Sequence, residues 1–182
     1  MSAMTTLPFR PDGWTVDDLD ELPEDDPLRY ELVDGALLVT PPPKPWHDDL
    51  GAQLLLTLLS ALPREYRAST APGVYFDHRN YRQPDVAVYR RGAALAERIW
   101  ATDCLLVVET VSPSSVANDT VAKPAQYAAA GIPHYWRVHR QPLLLVAHAL
   151  EGAVYREAGR FDDAVELEQP VPLRFRLTDL LP

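Results

Sequence analysis

Hydrophobic and polar positions alternate over short runs through most of the chain, with one longer stretch at helical spacing. Leucines at positions 50, 54, 55, 58 and 59 recur every three or four residues, which predicts a buried helix over 47–62. Two apolar runs surround Asp34-Gly35, a dipeptide favoured in tight primed turns, so residues 29–40 predict a β-hairpin. A short helix over 14–22 with Thr15 as its cap, and a further helix over 118–131 closed by Gly131, complete the helical predictions.

Short apolar runs bounded by turn residues predict strands in the rest of the chain. They cover 64–70, 73–77, 84–90, 104–111, 134–138, 142–150, 153–159, 164–168 and 173–177, before a short C-terminal helix at 178–181. Helices and strands in this order predict a mixed α/β sheet with helices packed on it, not a repeated βαβ winding. The length of 182 residues fits one domain, 1–182, in which residues 1–13 are expected to be a flexible N-terminal segment.

Composition narrows the classes of protein. The net charge of −9 argues against broad, non-specific binding of nucleic acid, although several arginines cluster between positions 79 and 91. No apolar run reaches transmembrane length, and the N-terminus lacks a basic region followed by an apolar one. The single cysteine, Cys104, excludes an intrachain disulfide and a cysteine-rich zinc site. We therefore expect a cytoplasmic protein with no membrane segment.

Acidic residues interrupt apolar strands at three places. Asp85 follows Pro84 at the start of one predicted strand, Glu109 follows four apolar residues in another, and Glu31 lies in the hairpin. A buried carboxylate must be paired, must bind a metal, or must lie at an exposed end of the sheet. If they lie on neighbouring strands, Asp85 and Glu109 would form a site of hard oxygen ligands suited to Mg²⁺ or Mn²⁺. The alternative is a purely structural role, in which each acid caps a strand or pairs with an arginine.

Five segments resemble a known family when they are taken in order. They are "RYELVDGALLV", "PPPKPWH", "RQPDVAVYR", "LLVVETVSPSS" and "KPAQYAAAGIPHYW". Together they resemble the Uma-two family of restriction-endonuclease-like proteins, which belongs to the PD-(D/E)xK nuclease superfamily, over the chain from about Trp14 to Leu181. The resemblance implies a restriction-endonuclease-like α/β fold, in which a mixed central β-sheet is flanked by helices and carries the acids at one edge.

The same resemblance implies roles for individual residues. Asp85 and Glu109 would be catalytic metal ligands, the carbonyl of Thr110 would be a third ligand, and Glu31 would complete or support the site. The superfamily lysine is expected two residues after the second acid, but this chain has valine at that position. Relatives supply the lysine from the following helix instead, and Lys123 matches that place.

Pro124 directly follows this lysine and bears on where its side chain points. Proline inside a helix removes a hydrogen bond, whereas proline in the first turn is well tolerated. The helix therefore either begins next to Lys123 or is kinked there. Ser112, Ser114 and Ser115 lack the context of a nucleophile elbow and are expected to shape the loop in which they lie and to cap the next helix.

These residues predict a metal-dependent endonuclease that uses Mg²⁺ or Mn²⁺ to cleave nucleic acid by attack of water, leaving a 5′-phosphate as the superfamily implies. The expected substrate is nucleic acid, with DNA as the first choice and RNA left open, and the expected assembly is a homodimer. The residues expected to contact the nucleic acid are His47, Arg79, Arg82 and Arg90. Two alternatives stay open. One is an inactive nuclease fold that serves as a binding or assembly module, and the other is a hydrolase of a small phosphate ester or nucleotide.

Overall fold

The computed structural model describes residues 8–23, 27–111 and 118–181. Residues 1–7 of the segment expected to be flexible, and the serines at 112, 114 and 115, lie outside this described part. Within residues 8–13, the guanidinium of Arg10 lies 5.4 Å from the centre of the Trp14 ring.

The described residues form thirteen strands and two α-helices, joined by short 3₁₀ turns and one π-helical turn. In chain order they are β1 Arg29–Val33, β2 Ala36–Thr40, α1 Pro45–Ala61, β3 Tyr66–Thr70, β4 Val74–Asp77, β5 Asn80–Arg82, β6 Val86–Arg90, β7 Ile99–Trp100, β8 Cys104–Val111, α2 Lys123–Ala129, β9 His134–Arg140, β10 Leu143–Glu151, β11 Val154–Phe161, β12 Ala164–Leu167 and β13 Leu173–Arg176.

The predicted hairpin is confirmed, because β1 and β2 pair antiparallel around Asp34-Gly35. Both turn residues have positive φ, 51° and 78°, which is the conformation that a two-residue primed turn requires. The hairpin belongs to a five-stranded sheet in the order β2-β1-β5-β4-β7. This sheet places β1, which carries Glu31, beside the segment that leads into β6.

A six-stranded sheet in the order β11-β10-β9-β8-β6-β3 forms the centre of the fold. Its strands pair antiparallel except β8 and β9, which run parallel, so the sheet is mixed. Successive side chains of a strand point to opposite faces. One face packs against leucines of α1, and the other, which includes Tyr135 of β9, packs against Tyr127 of α2. The predicted mixed central sheet flanked by helices is therefore confirmed.

Local details differ from the sequence predictions. The first predicted helix is a single 3₁₀ turn, Asp18–Glu21, and the Thr15 hydroxyl donates to the Asp18 carboxylate instead of capping a helix N–H. Leu54 of α1 is 1 % exposed, as expected, whereas Leu59 is 41 % exposed, so the buried face is narrower than the run of leucines. No described helix has the length and apolar character needed to cross a bilayer.

Candidate active site

The buried polar side chains of the described residues coincide with the sequence-predicted site. Six polar or charged residues are less than 9 % exposed: Glu31, Arg82, Asp85, Glu109, Thr110 and Lys123. Burying charged groups costs free energy unless they are paired and hydrogen-bonded. Because such groups are rarely buried together, their concentration in one region indicates a functional site.

The pairing of β6 with β8 brings the two strand acids together. Val86 lies opposite Val108 in this antiparallel ladder, so Asp85, one residue earlier, lies beside Glu109. The backbone N–H of Thr110 donates to Asp85 Oδ2 at 2.7 Å. Pro84 and Asp85 precede β6, so the proline does not interrupt the regular ladder.

Asp85 is held as a carboxylate by cationic neighbours. Arg29 Nη1 donates to Oδ1 at 3.1 Å, and His47 Nε2 lies 3.1 Å from Oδ2. Burial by itself would raise the pKa of Asp85. The hydrogen bond and charge of His47, the Thr110 N–H and the charge of Lys123 outweigh burial, so the pKa of Asp85 is lowered.

The pKa of His47 shifts in the direction opposite to that of Asp85. Burial by itself would lower the pKa of this imidazole, but the hydrogen bond to Asp85 and its negative charge outweigh burial, so the pKa of His47 is raised. The same Nε2 atom lies 3.3 Å from the carbonyl oxygen of Thr110. His47 therefore closes one side of the site from the first turn of α1.

Glu109 is bound by two side chains of α2. Lys123 Nζ donates to Oε2 at 2.9 Å, and the Tyr127 hydroxyl donates to Oε1 at 2.6 Å. Burial and the negative charge of Glu109 hold the pKa of Tyr127 well above its ordinary value, so the phenol stays protonated. Pro124 is the second residue of α2, and the π-helical turn Asn118–Ala122 directly precedes this helix. Lys123, the first residue of α2, reaches the site from there.

Glu31 is linked to the same helix through Arg82. Arg82 Nη1 donates to Glu31 Oε2 at 2.6 Å, and the Gln83 N–H donates to Oε1 at 3.1 Å. The remaining face of the Arg82 guanidinium, Nε and Nη2, donates to Gln126 Oε1 at 2.8 and 2.6 Å. This chain of contacts fixes β1 and β5 against α2, and so positions the lysine at the start of that helix.

The arginines expected to contact nucleic acid lie in three different settings. Arg82 is 2 % exposed. Arg79 donates to the carbonyl oxygen of Asp12 at 2.9 Å, beside the β1–β2 turn. Arg90 is exposed at the opposite end of β6 from Asp85, a separation of about 16 Å at about 3.3 Å per residue. These three arginines therefore do not form one exposed patch around the acids.

Arg29 and Tyr127 contact the acids directly, although neither was among the residues predicted to belong to the site. Arg29 precedes Glu31 by two residues, so both point to the same side of β1, a spacing that could have drawn attention to it. A cavity of about 280 Å³ opens beside Asp85, and its lining includes Arg29, His47 and Thr70. A group bound there would lie between an arginine, a histidine and a carboxylate.

The donor set fits a divalent cation in its chemistry. Two carboxylates and a carbonyl oxygen, from Asp85, Glu109 and Thr110, are hard ligands of the kind that Mg²⁺ and Mn²⁺ prefer. Within the described residues, no three side chains of histidine, cysteine, aspartate or glutamate converge to hold an ion without other donors. A metal held here would therefore depend on the backbone carbonyl and on water as well as on the acids.

Comparison with known proteins agrees with this fold. A crystal structure described as "a putative nuclease belonging to DUF820" from Anabaena variabilis superposes with a TM-score of 0.71 and 20 % identity, covering 91 % of this chain and 96 % of that one. No curated protein matches the sequence. Residues 16–179 match the Uma2 family, described as "Putative restriction endonuclease". Because this match spans most of the 182 residues, the chain belongs to the Uma2 family of restriction-endonuclease-like proteins.

Proposed function

We propose that this protein is a metal-dependent nuclease that hydrolyses phosphodiester bonds of nucleic acid. The observation that carries the proposal is the buried grouping of Asp85, Glu109 and Lys123, which come from three separate segments of the chain and meet beside the start of β6. Two acids and a lysine supply both ligands for a cation and a fixed positive charge. Membership of the Uma2 family supports the same reaction class.

Asp85, Glu109 and the Thr110 carbonyl are the residues that would hold Mg²⁺ or Mn²⁺. When bound, such an ion would polarise the phosphodiester and lower the pKa of a water molecule. Asp85 is suited to this role because its lowered pKa keeps it ionised at neutral pH. The Thr110 N–H hydrogen bond holds the carboxylate in a fixed orientation.

Lys123 would orient the attacking water and offset negative charge that develops on the phosphate. A fixed ammonium stabilises such charge strongly in a site from which bulk water is largely excluded. The residue is 7 % exposed, and its hydrogen bond to Glu109 holds its position before substrate binds. Arg82 and Gln126 would act at a distance, because they position the helix that carries this lysine.

Nucleic acid would approach through the cavity beside Asp85, where Arg29 and His47 could contact a phosphate. The net charge of −9 favours a narrow contact patch over extended, non-specific binding. We propose DNA as the substrate. The assay must nevertheless include RNA, because phosphate contacts alone do not separate the two.

A cleavage assay with labelled DNA and RNA oligonucleotides tests this proposal. It would compare Mg²⁺, Mn²⁺ and EDTA in the native protein and in Asp85→Asn and Glu109→Gln. The surface variant Glu166→Gln is the matched control, because Glu166 is exposed and pairs with Arg174 on β13. We expect metal-dependent cleavage that leaves 5′-phosphates, a loss of at least about 100-fold in both site variants, and no change in the control. Cleavage that survives both site substitutions would refute the proposal.

A second candidate function is a nuclease fold that binds nucleic acid without cleaving it. The observation that favours it is that both acids already have cationic partners, Arg29 and His47 at Asp85 and Lys123 at Glu109. Binding in a gel-shift assay without cleavage at any metal concentration would select this candidate. Hydrolysis of mononucleotides but not of oligonucleotides would select the small phosphate ester as substrate.

Two further expectations from the sequence stay predictions. The first is a homodimer, which light scattering would detect as twice the 20.4 kDa mass of the chain. The second is a cytoplasmic location, which cell fractionation would test.

A further inference from the structure

The imidazole of His47 faces two oxygen atoms with a single nitrogen. Its Nε2 lies 3.1 Å from Asp85 Oδ2 and 3.3 Å from the Thr110 carbonyl oxygen. The two oxygen atoms carry lone pairs, and so does Nε2 when it is unprotonated. The arrangement is therefore favourable only if a proton or a metal cation lies among the three atoms. In the protein alone, a proton on Nε2 fulfils this requirement.

The distances also match the spacing of ligands around one cation. Neighbouring ligand atoms of an octahedral ion with bonds of about 2.1 Å lie about 3.0 Å apart, and those of a tetrahedral ion with the same bonds lie about 3.4 Å apart. The two measured separations, 3.1 and 3.3 Å, fall between these values. Arg29 binds Oδ1 of Asp85, whereas Oδ2 faces His47 and also accepts the Thr110 N–H at 2.7 Å.

Local structure holds the imidazole in this place. His47 lies in the first turn of α1, where its backbone N–H donates to the Lys44 carbonyl oxygen at 2.8 Å. The Trp46 ring packs edge-on against the imidazole, with ring centres 5.4 Å apart. A side chain fixed on a helix in this way is suited to metal ligation, because little reorganisation is needed when an ion binds.

We propose that His47 is itself a metal ligand, which together with Asp85 Oδ2 and the Thr110 carbonyl gives a mixed nitrogen and oxygen site. This inference rests on the proposed metal-dependent function and specifies its cofactor. Imidazole nitrogen favours first-row transition ions, whereas an all-oxygen site favours Mg²⁺. The site therefore selects a transition ion over Mg²⁺, and Mn²⁺ is the probe that reports its ligands.

Pulsed electron paramagnetic resonance of the Mn²⁺-loaded protein is the test, because it detects nitrogen coupled to the metal without any measurement of activity. The comparison includes His47→Ala, His47→Gln as a second variant should the first not fold, and His78→Ala as the control, since His78 is exposed. We expect nitrogen coupling in the native protein and the control and its loss in the His47 variants. Calorimetry should show Mn²⁺ affinity falling by about 100-fold or more in these variants, with a smaller change for Mg²⁺.

The outcomes separate this inference from the function on which it rests. Mn²⁺ binding that Asp85→Asn abolishes, without nitrogen coupling in the native protein, would overturn the role of His47 and leave the nuclease proposal intact. Equal Mn²⁺ affinity in the native protein and the His47 variants would do the same. No Mn²⁺ binding and no metal-dependent cleavage in the native protein would overturn both.

Discussion

Removing the Lys123 ammonium should destabilise the metal-free protein strongly. Lys123 and Glu109 are 7 % and 2 % exposed and are joined by a 2.9 Å hydrogen bond. Lys123→Met keeps most of the apolar stem but leaves the buried carboxylate without this cation. Breaking a buried ion pair in this way costs about 3–5 kcal/mol of the free energy of unfolding.

Urea unfolding followed by circular dichroism measures the effect. With a slope of about 2 kcal/mol per molar urea, this loss moves the midpoint down by about 1.5–2.5 M. The chain has one other lysine, Lys44, which is exposed, so Lys44→Met is a matched control that should change stability by less than about 0.5 kcal/mol. The double variant Lys123→Met with Glu109→Gln should be less destabilised than the sum of its two single changes, because both charges are then absent.

Two results would show that this reasoning is wrong. One is a stability of Lys123→Met within about 0.5 kcal/mol of the native protein, which is the range of ordinary surface substitutions. The other is strict additivity in the double variant, which would mean that the two side chains do not interact in solution.

Three further predictions follow from the buried contacts. Because the pKa of His47 is raised in the folded, metal-free protein, its stabilisation is fully present below the unfolded value of about 6.5 and is lost as the pH rises through the higher folded value. The free energy of unfolding of the native protein relative to His47→Gln should therefore be larger at about pH 5.5 than at about pH 8.5, and a constant difference would contradict the shift. Arg82→Met leaves Glu31 buried without its guanidinium and should cost about 3–5 kcal/mol in urea unfolding, whereas a cost below about 1 kcal/mol would mean that the pair is not formed. Leu54→Ala should cost about 2–5 kcal/mol because Leu54 is 1 % exposed, while Leu56→Ala, at a position 60 % exposed in the same helix, should cost far less; equal costs would contradict the assigned face of α1.

The sequence predicted the elements whose patterns are long or chemically marked. The leucine periodicity of α1 and the Asp34-Gly35 turn each reflect a local rule, so both could be read without knowledge of the fold. Strands β5 and β7 were missed because they have only three and two residues, too few for an alternating pattern. Their strand conformation depends on neighbouring strands.

The candidate site was predictable where a residue breaks a local rule. Asp85 and Glu109 interrupt apolar strands, and a buried acid there requires compensation. The partners of these acids are set by the tertiary structure. Arg29, for example, lies 56 positions from Asp85 along the chain, and no local pattern joins the two residues. The burial of Arg82 could not be foreseen either, since arginine is usually exposed unless the fold supplies partners such as Glu31.

Cleavage of labelled DNA by the native protein, Lys123→Met and Lys44→Met, each with Mn²⁺ and with EDTA, tests the central claim most directly. The account predicts metal-dependent cleavage by the native protein and by Lys44→Met. The cleavage rate of Lys123→Met should be lower by at least about 100-fold, measured at a temperature at which this variant is still folded. Cleavage by Lys123→Met at the native rate, or cleavage by all three proteins in EDTA, would contradict it.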